Sequence, residues 1–221
     1  MNIIYLLFHG LSPYSGISKK ILHQVKGFEA CGHRVSLCTY SIADNGHRVR
    51  MINNEIIEDY GTGKPAAAKR RVSYQCIYRY AVTHQVELIY VRSFHNANPF
   101  TIRLFSKLRK AGIKIAMEIP TYPYDSEYAG FPLVTRLGIQ VDKVFRKTLA
   151  KHVNAIVTFS DYHCIFGQRT IQISNGVDFD SIPLKKTVSK NTSVIHLLGV
   201  AEVHYWHGYD RLIEGLGKYY P

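Results

Sequence analysis

Apolar, strand-like runs alternate with helical segments along most of the chain, and this alternation limits the fold more than any other feature. Residues 2–8 form a continuous apolar run, which is typical of a buried parallel strand. Apolar side chains then recur every three or four positions across residues 17–28 and predict a helix. Residues 34–40 predict a second strand, so the three segments form a βαβ unit. The repeated pattern predicts an α/β fold with a doubly wound, Rossmann-like parallel sheet.

Most later segments continue this alternation. A β-hairpin that turns at Asn53 and Asn54 is predicted within residues 49–60. Further strands are predicted at residues 87–91, 113–118, 155–159 and 170–174, and further helices at residues 66–84, 99–111 and 133–152. Two of these helices are expected to turn an apolar row inward, with Val72, Cys76, Tyr80 and Val82 in the first and Leu137, Val141, Val144 and Leu149 in the second.

The pattern changes after residue 180. Residues 181–193 are polar and typical of a linker, and residues 194–221 then predict one strand and one helix. The predicted organisation is therefore a Rossmann-like domain at 1–180, a linker at 181–193 and the start of a second α/β domain at 194–221. Because one strand and one helix cannot bury their own apolar faces, we expect the chain to be a piece of a longer protein.

Ligands of doubly wound sheets bind beyond the carboxyl ends of the strands. We therefore expect the functional residues in the loops that follow the predicted strands. These loops are residues 9–16, 41–44, 92–98, 119–128, 160–163 and 175–178.

The net charge of +12 is concentrated in one segment. Residues 61–115 contain eleven Lys and Arg residues and a single acidic residue, Glu87. Such a segment favours an anionic partner, whether phosphate, nucleic acid or a lipid surface, although solvated helix faces are the alternative. The sequence contains no helix-turn-helix, zinc-finger or aromatic RNA-binding signature, which argues against a nucleic acid. The charges on the two predicted helices are Lys64, Lys69, Arg70, Arg71, Arg103, Lys107, Arg109 and Lys110.

The four cysteines do not have the spacing of a metal site. Because they lie within apolar patterns, they are predicted to be buried, reduced thiols of a cytoplasmic protein. No run approaches the roughly 18 apolar residues of a membrane helix, and no basic stretch of a secretory signal precedes the first apolar run.

Several short motifs occur in a characteristic order. A glycine-containing loop follows the first strand, and GHRV at residues 32–35 leads into the second. NGVD at residues 175–178 closes the first domain, and HGYDRLIE at residues 207–214 opens the last helix. In this order and spacing, the motifs resemble those of the retaining GT-B glycosyltransferases of family 4.

The resemblance implies a sugar transfer from a nucleotide-diphospho-sugar to a saccharide or lipid-linked acceptor, as in polysaccharide or glycolipid biosynthesis. In that family the N-terminal domain binds the acceptor. The donor site and two catalytic glutamates belong to the C-terminal domain, here beyond Pro221, so the chain alone is expected to be inactive. The family mechanism requires no metal or other cofactor. The basic residues between 64 and 114 suggest peripheral binding to the inner face of a membrane.

Two loops carry most of the candidate residues. Ser15, Gly16 and Ser18 match the family's glycine-rich first loop, where backbone N–H groups and a helix N-terminus favour a donor phosphate. A plain turn into the helix is the alternative. The acceptor candidates in the loop after residue 118 are Tyr122, Tyr124 and Asp125, and Glu118 itself is a candidate polar contact or base. A rigid Pro- and Tyr-rich loop without ligand contact is the alternative there.

Other candidates lie in later loops. Arg92 and His95 are expected to clamp a phosphate or an acidic sugar of the acceptor, with a surface Arg and a structural His as the alternative. Asn175, Gly176 and Asp178 are predicted at the hinge, although Asn-Gly is also a common turn. His207 stands where the family has a Lys that faces the donor diphosphate.

Two rival functions remain open at this point. One is a nucleotide-binding α/β module without transferase activity. The other is a basic protein that binds nucleic acid, whose affinity would fall steeply with salt.

Overall fold

The computed structural model describes residues 1–93, 95–125, 132–176, 178–183, 197–200 and 207–219. The chain divides into two compact units, Met1–Asp178 and Phe179–Pro221. The linker predicted at residues 181–193 and the strand predicted at residues 194–198 lie largely outside the described residues, and the described Leu197 and Leu198 are exposed and not in a strand.

The first unit is built on a sheet of nine described strands in the order β4-β3-β2-β1-β5-β6-β7-β9-β8. The pairs along the centre, from β2 through β9, are parallel, and antiparallel strands complete both edges. The sheet confirms the predicted α/β, doubly wound class. The strands are β1 Asn2–Leu6, β2 Arg34–Ile42, β3 Arg48–Ile52, β4 Glu55–Asp59, β5 Leu88–Arg92, β6 Lys114–Ile119, β7 Ala155–Thr158, β8 Cys164–Ile165 and β9 Gln168–Gln172.

Helices cover both faces of this sheet. Residues of β1 alternate between the faces, so Tyr5 packs with Ile21 of α1, whereas Ile4 and Leu6 pack with residues of α3 and α4 on the other side. The helices are α1 Gly16–Ala30, α2 Gly63–Val72, α3 Gln75–Thr83, α4 Pro99–Lys110 and α5 Leu133–Ala150, with α6 Tyr209–Tyr219 in the second unit.

The hairpin prediction is confirmed, because β3 and β4 pair in antiparallel fashion around Asn53 and Asn54. Both asparagines have positive φ, 48° and 71°, as a tight hairpin turn requires. Gly32, with φ +78°, follows the end of α1 as predicted.

The single helix predicted at residues 66–84 is wrong. The chain breaks at Ser73, which is extended, and forms α2 and α3 instead. The break buries Tyr74, whose ring packs edge-on against Phe8 with 5.8 Å between ring centroids. Core packing of an aromatic ring therefore overrides local helical periodicity. Of the predicted inward row, Val72 and Val82 are exposed, and Cys76 is buried.

The prediction of which face of α5 is buried is also wrong. Leu137, Val141 and Val144 are exposed, whereas Leu149 is buried as expected. The helix is rotated because it buries Asp142, which accepts hydrogen bonds from the Ala97 N–H (3.0 Å) and the Tyr124 hydroxyl (2.8 Å). A pattern that counts only apolar residues does not predict the burial of a carboxylate, even one that accepts two hydrogen bonds.

The four cysteines are free thiols, but the burial prediction holds for only half of them. Cys38 and Cys76 are buried on β2 and α3. Cys31 and Cys164 are exposed, because they lie at the C-terminal end of α1 and in the short edge strand β8.

Candidate functional site

A pocket of about 690 Å³ lies at the carboxyl ends of the central strands of the first unit. The chain runs from β1 to β2 on one side and later returns to β5 on the other side of β1, so the strand order reverses beside β1. Crevices at such a reversal are the usual ligand sites of doubly wound sheets. The pocket is lined by His9, Gly10, Ser12, Ser15, Gly16, Ile17, Ser18, Lys20, Arg92, Ser93, His95, Ile119, Pro120, Thr121 and Tyr124.

Helix α1 begins in the wall of this pocket. Ser15 is its N-cap and accepts a hydrogen bond from the Ser18 N–H (3.4 Å). The Ser18 hydroxyl in turn accepts from the Ser12 N–H (2.9 Å), which fixes the loop. A Cβ added at Gly16 would meet no atom within 4 Å, so space for a ligand is left beside the backbone. The helix N-terminus contributes a partial positive charge to this space.

The Glu118 carboxylate is fully buried behind the pocket, with 0% of the residue exposed. It binds the Arg92 guanidinium and accepts hydrogen bonds from the Tyr90 hydroxyl (2.7 Å) and the Gln24 amide (2.9 Å). Burial, followed by the Glu118 charge, raises the pKa of Tyr90 well above its usual range. Both carboxylate oxygens thus have protein partners, and Glu118 is not among the residues that line the pocket.

Two cations line the pocket. Arg92 is 6% exposed and is held by Glu118. Lys20, from the first turns of α1, donates a hydrogen bond to Asn175 Oδ1 (2.7 Å), and its Nζ lies 3.5 Å from the centroid of the Phe159 ring. Burial is the main cause that lowers the pKa of Lys20. Because the charge of Arg92 is balanced by Glu118, Lys20 and the α1 N-terminus supply the uncompensated positive charge.

Aromatic rings close one side of the pocket. Tyr124 lines the pocket, is 5% exposed and donates its hydroxyl to buried Asp142. His95 has a φ of +49°, and its ring centroid lies 4.6 Å from that of Tyr124. Burial lowers the pKa of His95, so its ring is neutral at physiological pH. His95 and Tyr124 together form an uncharged aromatic wall on this side of the pocket.

Two predicted acceptor residues are outside the described lining of the pocket. Asp125 forms a two-point ion pair with Arg146 of α5, at 2.7 and 3.1 Å, and its carboxylate is held there. Tyr122 packs edge-on against Tyr162 and Phe166. Both side chains stabilise the loop after β6 instead of facing the cavity.

The predicted hinge residues are tied to α1. Asn175 accepts from Lys20, and Asp178 forms an ion pair with Lys26 (2.8 Å). Gly176 is exposed. His207 is exposed in the second unit, with its ring centroid 6.0 Å from that of Tyr209.

The sequence predictions missed Lys20, Ser93 and Gln24. Lys20 had a usable signal, since it follows the N-cap by five residues and lies within the first turns of a helix that starts in a candidate loop. Gln24 had none, because its contact with Glu118 joins residues 94 positions apart.

None of the protein-family models, curated proteins or solved structures compared with this chain matches it. Within the described residues, no group of three or more His, Cys, Asp or Glu side chains is placed to hold a metal ion. No described helix is both long and apolar enough to cross a membrane.

Proposed function

We propose that this protein takes part in glycosyl transfer from a nucleotide-diphospho-sugar to a saccharide or lipid-linked acceptor. In this proposal the first unit holds the acceptor, as in the retaining GT-B enzymes whose motif order the sequence resembles. One observation carries it: the pocket at the strand-order reversal combines a helix N-terminus and Lys20 with the aromatic wall of Tyr124.

The size of the pocket supports a small ligand. Small-molecule sites are roughly 300–1,000 Å³, and the volume of about 690 Å³ falls in this range. A sugar with an attached phosphate fits this space, with the ring against Tyr124 and the anion toward Lys20. The serine hydroxyls of the first loop and Ser93 suit the hydroxyl-rich surface of a saccharide.

In this proposal the residues of the first unit bind and orient rather than catalyse. Arg92 is fixed by Glu118, so it offers a preorganised donor without uncompensated charge. Lys20 and the Gly16 backbone favour a phosphate group. The catalytic carboxylates of the family are expected in the second domain, and Glu118 is not proposed as a base.

A titration of the purified chain by calorimetry tests the proposal. The probes are nucleotide-diphospho-sugars, nucleoside diphosphates, oligosaccharides, a short-chain polyprenyl phosphate sugar and oligonucleotides. A saccharide-bearing probe is expected to bind. Lys20→Met is expected to weaken binding of the phosphate-bearing saccharide about tenfold, because a charge-assisted hydrogen bond is lost.

Lys19→Met is the matched control, because Lys19 is exposed, carries the same charge and does not line the pocket. It is expected to change the affinity less than twofold. Binding of nucleoside diphosphates alone, with no effect of an attached sugar, would replace the proposal by a nucleotide-binding module. Binding of oligonucleotides alone would replace it by a nucleic-acid-binding function.

A further inference from the structure

We infer that a second anion-binding site lies beside the pocket, in an arginine cluster around Tyr40, and that it takes a phosphate group. The Tyr40 cluster consists of Arg48, Arg50, Arg70 and Arg71. Arg48 and Arg50 come from β3, and Arg70 and Arg71 come from α2, with strand β4 between them in the sequence. The existence of this anion site does not depend on the proposed glycosyl transfer.

Two guanidinium groups converge on the Tyr40 side chain. Arg48 Nη1 donates a hydrogen bond to the Tyr40 hydroxyl (2.7 Å). The Arg70 Cζ lies 4.0 Å from the centroid of the Tyr40 ring, so the guanidinium stacks over its face. The phenol thereby fixes one arginine at its edge and another at its face. Arg71 follows Arg70 on α2 and is exposed.

Arg50 lies beneath these groups and is 1% exposed. Its Nη1 donates to the Leu7 carbonyl (2.7 Å), and its buried Nε has no hydrogen-bond partner among the described residues. The titratable groups around it are Cys38, Tyr60 and Cys76. Burial raises the pKa of Cys38 to about 12, so this thiol provides no negative charge at neutral pH. Burial favours the neutral form of Arg50, but the neighbouring Cys38, Tyr60 and Cys76 raise its pKa, so Arg50 keeps its charge and attracts a nearby anion.

No described ion pair includes an arginine of the Tyr40 cluster. Two of the three acids on the neighbouring strand β4 are engaged elsewhere. Glu58, which is in register with Arg50, pairs with Arg79 (3.6 Å), and Asp59 pairs with His47 (2.7 Å). The positive charge of the cluster is thus left for a group from outside the described chain.

The arginines also act on each other. Burial is the main cause that lowers the pKa of Arg70. Tyr40 opposes this, and the smaller effects of the Arg71, Arg48 and Arg50 charges add to it. The Arg70 Nε is buried without a partner among the described residues. Like charges that are held together without an acid destabilise the fold locally, and folded proteins keep such clusters mainly at functional sites. A phosphate removes this cost, because guanidinium groups bind its oxygens in pairs.

The Tyr40 cluster shares a wall with the pocket. The Tyr40 N–H donates to the His9 carbonyl (3.3 Å), and the Tyr40 carbonyl lies 2.8 Å from where a Cβ on Gly10 would stand. His9 and Gly10 both line the pocket. The backbone of Tyr40 therefore joins the cluster to the wall of the pocket. If the proposed function holds, the acceptor carries such a phosphate, and this extension alone rests on that function.

The test is phosphate binding by wild type and by Arg48→Gln and Arg70→Gln, followed through the amide resonance of Tyr40 and the arginine Nε–H resonances. The probes are inorganic phosphate and a soluble phosphomonoester. Each variant is expected to weaken binding about tenfold, the effect of losing one charge-assisted contact. Arg103→Gln on α4 is the matched control, since Arg103 is exposed and outside the cluster, and it is expected to change the affinity less than twofold.

The source of the phosphate is distinguished by a second arm. Sedimentation with phosphatidylcholine vesicles, with and without phosphatidylglycerol, measures binding to lipid headgroups in wild type and Arg70→Gln. Loss of vesicle binding in Arg70→Gln assigns the site to a headgroup, whereas phosphomonoester binding without vesicle binding assigns it to a soluble or acceptor-borne phosphate.

Equal weakening by Arg103→Gln, or no perturbation of the Tyr40 resonance by any phosphate probe, would overturn the inference. Failure of saccharides to bind the pocket, with phosphate still bound at Tyr40, would overturn only the proposed function. Circular dichroism of Arg48→Gln and Arg70→Gln verifies that these variants are folded.

Discussion

Glu118 and Arg92 stand opposite each other in register on the neighbouring parallel strands β6 and β5, and the Glu118 carboxylate binds the Arg92 guanidinium. Glu118 is sealed from solvent, whereas Arg92 reaches the pocket. The pair gives the pocket a cation of fixed orientation whose charge is already balanced. In the proposed function, Arg92 orients the ligand, while Lys20 attracts its negative charge.

We expect Glu118→Gln to lower the free energy of unfolding by about 3–5 kcal/mol, because it leaves the Arg92 charge buried without its partner. Urea denaturation followed by fluorescence measures the loss. Glu29→Gln, at an exposed position near the end of α1, is expected to change it by less than about 0.5 kcal/mol. Equal losses in the two variants would show that Glu118 does not anchor Arg92.

Alanine substitutions at Gly10 and Gly16 are expected to have opposite effects on stability, although both glycines line the pocket. A Cβ at Gly10 would stand 2.8 Å from the Tyr40 carbonyl, so Gly10→Ala is expected to cost about 1–3 kcal/mol of stability. Gly16→Ala meets open space and is expected to leave stability unchanged or slightly higher. Thermal unfolding of the two variants provides the comparison. A more harmful effect at Gly16 would contradict the position of the first loop.

Two leucine-to-alanine substitutions test which face of α5 is buried. Leu149→Ala removes a buried side chain and is expected to cost about 2–5 kcal/mol. Leu137→Ala changes a side chain that is 57% exposed and is expected to cost less than about 1 kcal/mol. Similar costs in urea denaturation would mean that Leu137 is also in the core.

Acid is expected to weaken the loop after β6 through Asp125. The hydrogen-bonded ion pair with Arg146 holds the pKa of Asp125 below its usual value, so the folded state binds a proton more weakly than the unfolded state. The stability that the pair contributes is therefore full above about pH 5 and is lost as pH falls through the lowered pKa.

Asp125→Asn should consequently lose less stability than wild type when the pH is lowered from about 5 to 3. Urea denaturation at several pH values measures this slope. Asp161→Asn, at an exposed position, serves as the control and should keep the wild-type slope. An unchanged slope in Asp125→Asn would contradict the pairing with Arg146.

The sheet and its hairpin could be predicted because their signals are local. The strand at residues 2–8 and the turn at Asn53 and Asn54 depend on neighbours in sequence and on φ values that asparagine tolerates. The face of α5 could not be predicted, because it depends on the contact of Asp142 with Tyr124, which belongs to another element. The break at Ser73 likewise depends on the distant ring of Phe8.

The sequence predicted which loops form the candidate site, but not which side chains contact one another there. The rule for strand ends located Gly16, Arg92 and Tyr124, which the structure brings to one pocket. It could not show that Glu118 forms an ion pair with Arg92, because that pair depends on the register between β5 and β6. The convergence of Arg48 and Arg70 on Tyr40 depends in the same way on tertiary packing.

The most direct measurement of the central claim is a map of amide chemical-shift changes in the isotope-labelled protein when a phosphate-bearing oligosaccharide is added. We predict shifts at Gly10, Gly16 and Ser93, which line the pocket, and clearly smaller shifts at the same subsaturating ligand concentration in Lys20→Met. Shifts confined to residues outside the pocket, or identical shifts with a nucleoside diphosphate that has no glycosyl group on its diphosphate, would contradict a saccharide-binding pocket and with it the proposed role in glycosyl transfer.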